Sequence, residues 1–248
     1  MKLLLIRHGD PDYTRDSLTE KGCREPRLLA DRLAGLDIKA CYVSPLGRAK
    51  DTAAYTLQEI KRRGKEILPV ECDWLREFAP VIDRPDAPGQ KRIAWDWLPQ
   101  DWLAEGRFLD CRKWYEPEAM AKGKVREEYE WVTGSFDRLL ADHGYRRDGR
   151  VYRAERVNND TILLFAHFGV TCVLLGHLLN ISPMALWHGF CAAPTSVTTV
   201  ITEERRKGIA YFRVNGFGDI SHLYVKAEPP AFAARFCECY DNEGERRD

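Results

Sequence analysis

Arg7, His8 and Gly9 follow directly on the apolar run Leu3-Leu4-Leu5-Ile6, which has the character of a buried strand. A cation, an imidazole and a flexible residue are thereby delivered together to a strand end. The glycine lets backbone approach a ligand, and the two side chains suit capture of, or attack on, a phosphate. Three further residues of matching chemistry occur downstream: Arg48 after Ser44-Pro45, Glu77 after Trp74-Leu75-Arg76, and His167 after Ile162-Leu163-Leu164-Phe165-Ala166. A neutral imidazole can attack phosphorus in line, two guanidiniums can neutralise the equatorial oxygens, and a carboxylic acid can protonate the departing alkoxide; this chemistry requires no metal. Taken singly, each residue also has a structural reading. Arg7 and Arg48 could sit in surface salt bridges, Glu77 could simply end a strand, and a strand-end histidine is often structural.

The intervening sequence indicates how these residues are positioned. Thr19 caps a helix whose apolar face carries Leu28, Leu29, Leu33 and Leu36. Ala40 to Val43 reads as a second buried strand, and Ser44-Pro45 as an N-cap with proline at the first helical position, placing Arg48 on the first turn. Ile67 to Cys72 suggests a third strand running out towards Glu77, and Val125 to Asp142 a long helix. Gly144 to Val157 reads as a hairpin, Ile162 to Ala166 as a strand, Gly169 to Leu179 as an apolar helix, and Ser196 to Ile201 and Ala210 to Val214 as strands. Strands alternating with helices predict an α/β three-layer sandwich with a mainly parallel central sheet, helices on both faces, and ligands at the carboxyl ends of the strands. All the candidate residues fall at such ends.

Residues 79–118 break this pattern. Five prolines and the aromatic residues Trp95, Trp97, Trp102, Phe108, Trp114 and Tyr115 predict an insertion of short helices and turns within one domain spanning 1–248. Three roles are open to it: a lid over the pocket, a homodimer contact, or a satellite core. The 38 basic and 38 acidic residues balance, so no global charge draws the molecule to nucleic acid or an anionic membrane, and any anion must be bound locally. The opening apolar run is too short for a signal-peptide core or a membrane span, and the expectation is a cytoplasmic protein. The 8 cysteines show no C-x-x-C spacing and read as free thiols; a zinc site from Cys237, Cys239 and His222 is set aside. Glu243 to Asp248 reads as a charged, frayed tail.

Five motifs, in this order, make the chain resemble the histidine phosphatase superfamily, the phosphoglycerate mutase-like proteins: Leu4-Leu5-Ile6-Arg7-His8-Gly9, Leu18-Thr19-Glu20-Lys21-Gly22, the run from Ser44 to Ala53, Leu75-Arg76-Glu77, and Ala166-His167-Phe168-Gly169. The resemblance implies that His8 becomes phosphorylated, that Arg7 and Arg48 hold the phosphoryl group, that His167 hydrogen-bonds it, and that Glu77 is general acid and later base. The N–H groups at the start of the helix after His167, from Phe168 onward, add an anion site. The glycine-rich, tryptophan-containing signature that commonly follows the acid in this family is absent after Phe78-Ala79-Pro80, which leaves Glu20 and Asp10 as rival carboxylates. His188 and His222 read as structural; His143 and His177 receive no role. Between His8 and Leu18 the segment is short and lacks the residues with which the family's mutases grip phosphoglycerate. The expectation is therefore a phosphatase acting on a small phosphorylated metabolite, without a cofactor. A phosphoglycerate mutase-like phosphotransferase and a non-catalytic phosphate-binding protein of the same fold are the alternatives.

Overall fold

Leu3 to Arg7 are all buried in the first strand, β1 (Lys2–Arg7), as a strand must be when helices cover both faces of its sheet. In the computed structural model, which describes residues 1–246 apart from 86 and 234, the side chains of β1 feed two separate cores. Leu3 and Leu5 face one and Leu4 and Ile6 the other, the period-two alternation of extended chain.

A small hairpin, β2 (Pro11–Asp12) and β3 (Ser17–Leu18), precedes helix α1 (Glu20–Leu33), whose N-cap is Thr19 as expected: its side chain accepts from Gly22 N. Strand β4 (Ile38–Val43) and helix α2 (Gly47–Arg62) follow. The third strand of the sheet is shorter than the sequence suggests. β5 covers only Pro69–Glu71, is exposed throughout, and gives way to a 3-10 turn at Asp73–Leu75, so Glu77 lies beyond the strand in irregular chain.

The insertion contains the hairpin β6 (Val81–Asp83) and β7 (Lys91–Ile93), helix α3 (Pro99–Leu103) and a 3-10 turn at Gly106–Leu109. It leads through α4 (Glu118–Lys122) into α5 (Val125–Asp142). Trp97, Phe108 and Trp114 are buried in the same core as α5, so the insertion extends the hydrophobic core on that face. The hairpin β8 (Tyr145–Asp148) and β9 (Val151–Ala154), the strand β10 (Thr161–Ala166), and helices α6 (Phe168–Leu179) and α7 (Pro183–Gly189) come next. The long strands β11 (Val197–Arg206) and β12 (Ile209–Asp219) and the short helix α8 (Ser221–Tyr224) complete the elements.

Among the described residues the central sheet has eight strands in the order β5-β4-β10-β1-β11-β12-β9-β8. Its first four strands are parallel, which brings their carboxyl ends to one edge; the pairings from β1–β11 to β9–β8 are antiparallel. This is the expected α/β fold: α1 and α2 pack on one face, and α5, α6, α7 and the insertion on the other. No helix among the described residues is long and apolar enough to cross a membrane. The tail departs from the sequence expectation. Far from fraying, it folds back as far as Arg246, whose carbonyl accepts from Cys237 N at 2.8 Å; Arg247 and Asp248 lie outside the described residues.

Candidate active site

Because β1 and β10 are in-register parallel neighbours, with Arg7 opposite Ala166, the residues that follow them emerge side by side. The His8 and His167 rings stand 5.0 Å apart, and both residues are almost fully buried. His8 Nδ1 is 2.7 Å from Gly9 O. A carbonyl can only accept, so Nδ1 carries the proton and Nε2 keeps its lone pair. Arg48 donates its Nε–H to that Nε2 at 3.3 Å. Burial, then the charges of Arg7 and Arg48, hold the His8 pKa well below the ordinary imidazole range.

The two arginines are fixed from outside the pocket. Arg7 Nη1 donates to Ala192 O at 2.5 Å, while its buried Nε has no partner among the described residues. Arg48 pairs through Nη1 with Asp16 Oδ1 at 2.5 Å, and the second oxygen of Asp16 accepts from Gly47 N at 2.7 Å. Asp16 therefore both caps α2 and aims the guanidinium. Thr52 ties the two loops together: its hydroxyl accepts from Gly9 N and donates to Arg48 O.

His167 is the N-cap residue of α6, and its Nε2 lies 2.7 Å from Ser44 Oγ. Ser44 Oγ already accepts from Leu46 N at 3.3 Å. Donating its own proton to Nε2 completes its bonding and leaves His167 Nδ1, buried and without a partner among the described residues, as the protonated nitrogen. Burial, then His8 and the two arginines, lower the His167 pKa well below its usual value. The sequence reading took Ser44 for a helix cap. The helix in fact starts at Gly47, with Leu46 at the cap position and no side-chain cap bond of its own, because the hydroxyl is committed to His167 and Asp16 serves Gly47.

Glu77 reaches the site across the sheet edge. Its Oε1 accepts from Phe78 N at 2.8 Å and Val170 N at 2.9 Å, and its Oε2 from Gly169 N at 3.2 Å. Two of the helix-start N–H groups expected to bind an anion are thus occupied by this carboxylate; Phe168, the first residue of α6, supports Arg7 with its ring 5.9 Å from the guanidinium carbon. Burial pushes the Glu77 pKa up, against the three N–H bonds and Arg7. Glycine at 169 permits this close approach, since a Cβ there would stand 2.6 Å from Glu77 Oε1. Glu20 is turned away, its side chain 95% exposed and paired with Arg24. Asp10 accepts from the Thr19 hydroxyl at 2.7 Å and is engaged in holding the start of α1.

His222 buttresses the pocket: its Nε2 lies 3.1 Å from Thr195 Oγ1. Thr195 N in turn donates to the carbonyls of both Arg7 and His8. His188 accepts from Trp97 N at 3.0 Å and anchors the insertion. Among the described residues no cluster of three His, Cys, Asp or Glu side chains is arranged to hold a metal ion. Sequence reasoning missed Ser44 and Asp16, although both lie within motifs it had singled out or in the loops beside them.

Residues 3–80 match the family model of the histidine phosphatase superfamily (branch 1). A 2,3-bisphosphoglycerate-dependent phosphoglycerate mutase of Thermoplasma acidophilum is 43% identical over 60 residues, 20% of this chain and 30% of the mutase. This similarity therefore spans less than a third of that protein. Among solved structures, a phosphoserine phosphatase from Entamoeba histolytica, in complex with phosphoserine, is 20% identical with a TM-score of 0.55, covering 90% of this chain and 98% of its own. The Bacillus stearothermophilus protein YhfR is 26% identical with a TM-score of 0.53, over the same shares.

Proposed function

We propose that the protein is a phosphomonoesterase that hydrolyses a small phosphorylated metabolite through a phosphohistidine on His8. The observation that carries this reading is the state of His8: Nδ1–H tied to Gly9 O, Nε2 bearing its lone pair, and two arginines beside it. Nε2 attacks phosphorus and the P–O bond to the alcohol breaks, while Arg7 Nε, Arg48 and His167 Nδ1–H stabilise the equatorial oxygens. The departing alkoxide takes a proton from Glu77. Its Oε2, with one N–H at 3.2 Å against two on Oε1, is the oxygen with room for that proton. Water then attacks the phosphohistidine, Glu77 accepts the water's proton, the P–N bond breaks and the electron pair returns to Nε2. The arginines supply the charge neutralisation that a divalent metal gives in other phosphoryl transfers. The insertion reaches the residues beside the site through Trp95, whose ring meets Phe168 edge-on, and is proposed to act as a lid.

The test is rapid quenching of the wild-type reaction followed by detection of acid-labile phosphohistidine at His8. His8→Ala is expected to abolish both label and turnover; substantial activity in this variant would refute the assignment. The 60-residue likeness to a mutase supports the second reading, a phosphoglycerate mutase-like phosphotransferase. A bisphosphorylated sugar acid would prime a mutase and leave a phosphatase unaffected.

A further inference from the structure

The insertion brings one carboxylate towards the phosphoryl pocket that the proposed chemistry does not use. Asp96 directly follows Trp95, whose indole carbons stand 3.0 Å from where a Cβ on Gly169 would lie and whose ring meets Phe168 edge-on at 6.1 Å. Phe168 in turn supports Arg7. The turn at this point is firmly constructed. Asp96 has φ 64°, a left-handed conformation that non-glycine residues seldom adopt and that persists only where the surroundings over-determine it.

Those surroundings are identifiable. The buried Arg84 donates Nη1 to the carbonyls of both Trp95 at 2.8 Å and Asp96 at 2.7 Å. The next residue, Trp97, donates its N–H to His188 Nε2, and Trp102 stacks on the His188 ring at 4.9 Å. The Asp96 side chain retains 24% exposure, and Arg246 of the folded-back tail reaches its Oδ2 at 3.4 Å. Arg7 lies near enough to act on its titration, together with Arg246 and Arg84, although burial is the larger influence and raises its pKa. A partly exposed carboxylate is therefore carried on a constrained turn next to Trp95, with Arg7 among the charges that act on it.

We infer that Asp96 is a specificity-determining residue, favouring phosphomonoesters whose alcohol part carries an ammonium group close to the phosphate and disfavouring those that carry a second anion there. The inference rests on the phosphatase reading for what occupies the pocket. The ammonium gains the Asp96 carboxylate as a partner, whereas a carboxylate or second phosphate meets like charge at a partly buried position. At the separations of neighbouring side chains, either effect amounts to about tenfold in affinity.

Three esters on one two-carbon skeleton provide the test: O-phosphoethanolamine, ethyl phosphate and 2-phosphoglycolate, measured as competitive inhibitors of p-nitrophenyl phosphate hydrolysis. The wild type is expected to bind them in that order of decreasing affinity. Asp96→Asn, which keeps a side chain tolerant of the left-handed backbone, is expected to shrink the ratio of the two outer inhibition constants by about a hundredfold, the product of the two effects. Because the readout is a ratio, a general change in activity cancels. Arg246→Ala, which frees the carboxylate of its partner, is expected to widen the same ratio. A ratio unchanged within twofold in Asp96→Asn, or a wild type that prefers phosphoglycolate, would overturn the proposal. Should the wild type hydrolyse no chromogenic ester, the phosphatase reading fails by itself; calorimetric dissociation constants for the same three esters then decide the Asp96 assignment by the same ratio.

Discussion

Gly169→Ala isolates the placement of Glu77 from its chemistry, because it leaves every proposed reacting group in the chain. The added Cβ would stand 2.6 Å from Glu77 Oε1 and 3.0 Å from two ring carbons of Trp95, where ordinary contact begins at 3.4 Å. The carboxylate must therefore retreat by about 0.8 Å, since the indole blocks accommodation on the other side. It cannot retreat freely: Oε1 is held by Phe78 N and Val170 N, and Oε2 by Gly169 N. Stretching two of these bonds, each worth about 1.5–3 kcal/mol when the acceptor is charged, outweighs the gain of up to about 1 kcal/mol from alanine in a helix.

We expect a net destabilisation of about 2–5 kcal/mol by urea unfolding. A displacement of this size also spoils proton delivery, at a cost on the order of a hundredfold. The expected signature is a loss of that size in kcat/KM for an alkyl phosphate, whose basic leaving group needs the proton. The pre-steady-state burst with p-nitrophenyl phosphate, whose leaving group does not, should change less than tenfold. A Gly169→Ala variant as stable as the wild type and as active on alkyl esters would refute the clash, and a destabilised variant that stayed fully active on alkyl esters would refute the role of Glu77. Equal losses on the two esters would refute the role alone.

Ser44→Ala removes the hydroxyl that sets the His167 tautomer. We expect a 10- to 100-fold fall in kcat/KM, from leaving a buried imidazole nitrogen unpaired at about 1–3 kcal/mol, with an altered pH profile and recovery in Ser44→Thr; a profile unchanged in shape would show that the contact is only structural. Glu25 is fully buried beneath the Asp10 loop, with Oε1 accepting from Ala231 N and its pKa raised by burial from 4.5 to about 7. Its contribution to stability is complete below pH 4.5, where folded and unfolded chains are both protonated. It is lost as pH rises to about 7, because the unfolded chain ionises first, a decline of about 3 kcal/mol. The wild-type-minus-Glu25→Gln difference in unfolding free energy should follow that curve between pH 4.5 and 8, and a flat difference would refute it.

The parallel half of the fold was legible because Leu3 to Ile6 and Ile162 to Ala166 are apolar without interruption, a pattern that only doubly covered strands require. The candidates Arg7, His8 and His167 were legible for the same reason, since each sits at the end of one of those strands, and Arg48 was legible from its place just after the next strand, β4. What escaped was decided by partners distant in sequence. Ser44-Pro45 has the local chemistry of a helix cap, yet His167, 123 residues away, claims the hydroxyl. Glu77 was assigned to the end of a strand that stops at Glu71, and its position is fixed by the amides of α6. The conformation of Asp96 depends on Arg84 and His188; aspartate tolerates φ 64°, but nothing in the neighbouring sequence demands it.

The proposed mechanism needs His8 unprotonated while Glu77 is protonated, the reverse of what free side chains do in the pH range between their ordinary values. Burial accomplishes both shifts at once. Desolvation is the leading influence on each group and penalises whichever form is charged, imidazolium in one case and carboxylate in the other. The arginines separate the two roles. They act with burial on His8, lowering its pKa further, and against burial on Glu77, where Arg7 and three backbone N–H groups limit the rise. An acid whose pKa rose without limit could donate its proton but would be a poor base for the water that must follow. The same guanidinium that favours the neutral nucleophile therefore keeps the carboxyl group able to exchange its proton in both directions, which is what a two-step hydrolysis through a single acid–base residue demands.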